Sequence, residues 1–142
     1  MHKTWKFLLN GTLIALFISF VAVQAADWPQ FRGQSRDGIS PETGLLKSWP
    51  ADGPKMVWSY EGIGGGWGSA AVVNNQVYVV GDIDKQEALF ALNENGKLKW
   101  KTTYSERWSR SFPEARTTPT IDGDNLYVNS GQGNVVCVDR ST

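Results

Sequence analysis

Two stretches of this chain are apolar without interruption: Val-Tyr-Val-Val at 77–80 and Ala-Leu-Phe-Ala-Leu at 88–92. Neither alternates with polar residues, so each predicts a strand buried on both faces. Turn residues punctuate them. Asn74-Asn75 precedes the first run and Asn93-Glu94-Asn95-Gly96 follows the second; Asn and Gly tolerate the positive φ of a tight hairpin. The pattern predicts four strands, 68–73, 76–80, 87–92 and 98–103. Three more follow at 117–121, 125–129 and 134–138, with Asp122-Gly123 as their first turn. The links are too short to hold amphipathic helices. The cover for a doubly buried strand must then be another sheet, and the expected fold class is all-β. A two-sheet sandwich would place polar residues at alternate positions, which these runs lack.

The strand pattern repeats. Aligning Tyr78 with Tyr127, 49 residues on, sets 69–73 against 118–122 and 77–79 against 126–128. Trp58 and Trp100 recur at an offset of 42. Periods of ~40–50 residues with four short strands per unit indicate β-propeller blades, each sheet packed between two neighbours. One blade cannot bury its own faces. A closed ring needs about four to eight blades. The chain is therefore expected to be the N-terminal part of a longer ring, and in isolation to expose strand edges and apolar faces. The expected organisation is an export signal at 1–25 and a segment at 26–54 leading into the propeller. A partial propeller follows at 55–142: an outer strand around Trp58, one full four-stranded antiparallel blade and three strands of the next.

The export signal rests on Lys3 and Lys6, an apolar stretch over 7–23, and a Val23-Gln24-Ala25 cleavage pattern. An uncleaved anchor is the alternative, although Asn10, Gly11 and Thr12 interrupt the apolar run. No cysteine follows the run to suggest a lipoprotein. An exported protein is expected in the periplasm, with the extracellular space as the alternative. Removing 25 of the 142 residues leaves 117, with 12 basic against 14 acidic groups. That balance gives no electrostatic case for nucleic acid or anionic lipid. The loose basic group Lys97, Lys99, Lys101 and Arg107 reads as a solvated strand edge.

Cys137 is the only cysteine. Its repeat partner is Ala91, so it is expected to be a small buried strand residue, the alternative being a disulfide to a cysteine beyond Thr142. The only histidine, His2, lies in the export signal. The mature residues therefore cannot form a His-assisted nucleophile or a His-ligated metal site.

Ala91-x-Asn93-x-x-Gly96-Lys97-x-x-Trp100 resembles the blade signature of the pyrroloquinoline-quinone-like repeat family, and Cys137-x-Asp139-x-x-Thr142 resembles its first half. Asp27-Trp28-Pro29-Gln30-Phe31-Arg32-Gly33, together with Arg36-Asp37-Gly38 and the 44–50 stretch, resembles the start of exported quinoprotein-like propellers of bacteria. The resemblance implies that Trp58, Gly96 and Trp100 dock one blade on the next. It also implies two kinds of relative. Some are dehydrogenases of alcohols or sugars, which hold pyrroloquinoline quinone, calcium and an Asp base in the central channel, beside a disulfide of adjacent cysteines. Others are non-catalytic, such as the propeller lipoprotein of the outer-membrane β-barrel assembly machine. This chain has no adjacent cysteines and no carboxylate assignable to calcium. No catalytic residue, metal ligand or cofactor is evident in it, and quinone and calcium would fall to later blades.

Candidate contacts come from the repeat offset. Trp67 and Arg116 occupy equivalent positions immediately before an inner strand, at the channel rim of a propeller. A rim carrying Trp in one blade and Arg in the next suits an aromatic or anionic ligand; the structural alternative is Arg116 paired with a neighbouring carboxylate. The link from Trp100 to Arg116 is seven residues longer than that from Trp58 to Trp67. Its loop holds Trp108 and Arg110, residue types favoured at recognition surfaces. The alternative there is a loop that buries Trp108 and Phe112. The glycines at 64–66 and 68 lack the Gly-Lys-Ser/Thr ending of a phosphate loop and a following helix. The Asp82, Asp84, Gln86 and Glu87 group is expected at a solvated hairpin tip, without the glycine of a calcium loop. The leading expectation is an exported non-catalytic propeller that binds a protein or envelope component. A quinone-dependent dehydrogenase and a polysaccharide-binding module are the alternatives.

Overall fold

A computed structural model describes residues 25–141. The expected export signal, apart from Ala25, lies outside them, as does Thr142. The described residues form seven strands and no helix: β1 (Ala71–Val73), β2 (Gln76–Ile83), β3 (Gln86–Asn93), β4 (Leu98–Glu106), β5 (Thr120–Asp122), β6 (Asn125–Asn129) and β7 (Val135–Asp139). They make two antiparallel sheets, ordered β1-β2-β3-β4 and β5-β6-β7. The protein is all-β.

The turns follow from residue type. Asn74 and Asn75 have φ of 50° and 59°, the paired left-handed conformation that matches strand twist in a two-residue hairpin. At Asn93, Oδ1 accepts the amides of Asn95 and Lys97 at 3.0 and 2.9 Å, and Gly96 supplies a φ of 74°. Asp139 repeats the device in the second sheet, its Oδ1 accepting from the Ser141 amide at 2.8 Å.

Strand bounds differ from expectation at one end of each sheet. β1 starts at Ala71 rather than 68, because the amides before it turn to the second sheet: Trp67 N–H donates to Ala115 O at 2.7 Å and Ser69 N–H to Thr118 Oγ1 at 3.1 Å. β2 and β3 run closer to each other than the pattern suggests. Asp82 and Glu87 are paired within the ladder, and the tip is Asp84-Lys85, with φ of 49° and 65°. The stretch around Trp58, expected as an outer strand, pairs in no ladder.

Burial on both faces holds for β3, in which Glu87 to Leu92 are all buried. On one face Tyr78, Val80, Leu89 and Ala91 join Leu126, Val128 and Ile121 of the second sheet in one core. On the other face Ile63 lies against Gly81 and the Trp58 ring against Gly96, so closely that a Cβ on either glycine would collide. The second sheet is covered on one face only. Leu126 and Val128 are buried, while Tyr127, Val135 and Cys137 are exposed. Cys137 is thus not the buried residue that its partner Ala91 suggests: it pairs with Tyr127 on the uncovered face.

A tryptophan-to-carbonyl contact occurs twice, and its second instance joins the two sheets. Trp58 Nε1–H donates to Glu94 O at 2.8 Å, and Trp100 Nε1–H donates to Arg140 O at 3.2 Å. Each acceptor directly follows the Asx residue of its turn. Residues 27–29 link β1 and β5: Trp28 exchanges two backbone hydrogen bonds with Val72, and Ile121 N–H donates to Pro29 O.

Candidate binding site

The β2–β3 end of the first sheet gathers the 107–116 loop. Arg107 N–H donates to Lys85 O at 3.0 Å, which fastens the loop to the hairpin tip. Beneath it lie the carboxylates of Asp82 and Glu87. Asp82 Oδ1 accepts the Ala115 amide at 3.1 Å, and Oδ2 lies 3.9 Å from Arg107 Nε. Glu87 is fully buried and accepts the Gly131 amide at 2.9 Å. The expected solvated tip is therefore half wrong. Asp84 and Gln86 are exposed, but Asp82 and Glu87 bind the two sheets together.

Burial raises the Asp82 carboxyl above its ordinary range, against the Ala115 hydrogen bond. Burial also raises the Tyr104 phenol, with Glu87 adding to the shift. The second oxygen of Asp82 is buried without a hydrogen-bond partner, and the buried Tyr104 hydroxyl faces Glu87 and Thr117.

Trp108 sits on this base. Gly131 passes so close that a Cβ would meet Trp108 at 2.4 Å. Trp108 is half-buried and Phe112 is exposed, so the loop does not hide its aromatics as a pair. The Trp108 indole donates to Ser111 O at 2.8 Å. The guanidinium carbons of Arg110 and Arg116 stand 5.6 and 5.8 Å from its ring centroid, within cation–π range. Arg116 also donates to the carbonyls of Ser111 and Phe112. Among the described residues no carboxylate lies within ion-pair distance of either arginine, and Arg116 takes carbonyl partners where an acid was the alternative.

Trp67 is tied to the same loop. Its indole donates to Pro113 O at 3.0 Å, and its ring is 66% exposed. All four expected contact residues, Trp67, Trp108, Arg110 and Arg116, are thereby brought to one end of the strands. The loop carries strain as well. Phe112 and Glu114 have φ of 47° and 86°, each costing on the order of 1–3 kcal/mol. Glu114 N–H donates to Trp108 O at 3.0 Å, and the Glu114 carboxylate fills the space that a side chain at Gly65 would need. The glycines at 64–66 thus serve close backbone approach, and no helix follows them.

Sequence reasoning misplaced Glu87 at a solvated tip and missed Tyr104 and Gly131. An acidic residue abutting a buried apolar run was the available signal for Glu87. Among the described residues no three His, Cys, Asp or Glu side chains are grouped to hold a metal, and Asp82 is engaged by Ala115 and Arg107. Searches of family models and of curated proteins return no match to this chain.

Proposed function

We propose that the two sheets are neighbouring blades of a β-propeller of the pyrroloquinoline-quinone-like repeat type, in an exported, non-catalytic protein of the cell envelope. Its 107–116 loop binds an anionic or aromatic part of a protein or envelope partner. The tryptophan-to-carbonyl bond made twice, by Trp58 and by Trp100, supports the blade reading. The recognition reading is carried by one observation: two guanidiniums flank the Trp108 ring, and among the described residues no acid lies within ion-pair distance of them. Positive charge on a rigidly held indole attracts carboxylate, phosphate or another ring.

The test is capture from an envelope extract by the full chain, identification of the bound partner, and titration of the purified pair. Arg110→Glu is expected to weaken binding by roughly tenfold or more, and rising salt to weaken it further. Arg110 is preferred to Arg116 for substitution because it makes no loop hydrogen bond of the kind Arg116 makes. Unchanged affinity in both Arg110→Glu and Trp67→Ala overturns the assignment.

A further inference from the structure

At the opposite end of the strands lies a cavity of about 620 Å³ between the β1–β2 turn, the β5–β6 turn and residues 27–36. This is within the ~300–1,000 Å³ range of small-molecule sites. Its lining combines three kinds of surface. Val73 and Ile121, both buried, contribute an apolar part, and Tyr127 adds a part-exposed ring. Asp27, Asp122 and Asp124, with Arg36 and Arg140, are the charged residues of the lining.

Several of these groups are held in place. Asp27 Oδ1 accepts the Asn74 amide at 3.0 Å, and Arg36 Nε donates to Gln30 Oε1 at 2.9 Å. Arg140 is fixed through both backbone groups, its amide donating to Asp124 O and its carbonyl accepting from Trp100. Its Nη1 is nonetheless buried without a hydrogen-bond partner.

The chemistry selects the ligand class. An anion would meet three carboxylates, and a cation two guanidiniums. A neutral saccharide can use both: its hydroxyls donate to aspartates and accept from arginines, and its C–H faces rest on Tyr127 and the aliphatic lining. We infer that this cavity is a binding site for a neutral saccharide. It lies beyond the partner-binding reading, at the other end of the molecule and with other residues.

The test is amide NMR of the full chain titrated with maltotriose, cellotriose and chitotriose at millimolar concentration, with inorganic phosphate as a separate arm. At least one trisaccharide should shift the amides of Asn74, Gly123 and Asp124. Asp122→Ala and Tyr127→Ala, both on exposed positions, should each weaken that binding by roughly tenfold, with the remaining spectrum retained; Lys101→Ala on β4 should not. No shift with any trisaccharide, shifts confined elsewhere, a response to phosphate alone, or affinity unchanged in both variants overturns the inference.

Discussion

Asp82 and Glu87 stand opposite each other across β2 and β3, and both are buried. Like charges directly opposed are unfavourable in a ladder, and each is retained where it accepts an amide of the second sheet. For Asp82 the folded-state carboxyl titrates above its ordinary value. Its contribution to stability is present below that ordinary value and is lost as pH rises through the raised one. Asp82→Asn keeps an acceptor for Ala115 and removes the charge. It is expected to melt at or above the native chain at pH 7, the difference closing as pH falls toward about 4. Asp82→Ala leaves the buried Ala115 amide without its acceptor and should lose about 1–3 kcal/mol. Thermal melts of the three proteins at the two pH values give the comparison. Asp82→Asn falling to the level of Asp82→Ala at pH 7 means that the charge, not merely an acceptor, is what Ala115 and Arg107 require.

The elements are set by turns whose residues answer to specific geometry, and the turns differ in what they tolerate. Gly96 has both a left-handed φ and the Trp58 ring 2.6 Å from where a Cβ would lie. Gly123 has a φ of 57° and open space around it. Gly96→Ala should cost about 1–2 kcal/mol for conformation alone and also push the indole from Glu94, seen as a changed tryptophan emission. Gly123→Asn should cost much less, since Asn tolerates the left-handed region. Equal losses at the two positions contradict the ring-on-glycine contact. These turns, the strands and the repeated tryptophans were legible in the chain, because hairpin chemistry and apolar runs are local signals. That Trp67 and Arg116 lie at one end of the strands was legible too, from the offset alone. What was not legible depended on the other sheet. Glu87 finds Gly131 44 residues away, and nothing beside Glu87 in sequence announces that amide. Cys137 matched Ala91 in the repeat, yet its exposure was decided by which faces of the second sheet another element covers.

Across the whole molecule, cover is unequal, and stability should follow it. β3 lies inside its sheet between β2 and β4, with the second sheet over one face, while on the other side Ile63 lies against Gly81 of β2 and Trp58 against Gly96 in the β3–β4 turn. β7 has one strand neighbour, and of its two faces only that of Val136 and Val138 packs on the core. Amide exchange reports the free energy of the opening that frees each hydrogen, and openings at a half-covered edge need not disturb the core. The ladder amides of 88–92 should therefore exchange slowest, at rates set by global unfolding. Those of 135–139 should exchange orders of magnitude faster, with Cys137 reacting with a thiol reagent in the absence of denaturant. If a further sheet or a bound partner covers the Tyr127–Cys137 face, the same amides and the thiol become protected together. Exchange at 135–139 as slow as at 88–92 in the chain alone would show that the two sheets open as one unit, and that the uncovered face does not set the limit on stability.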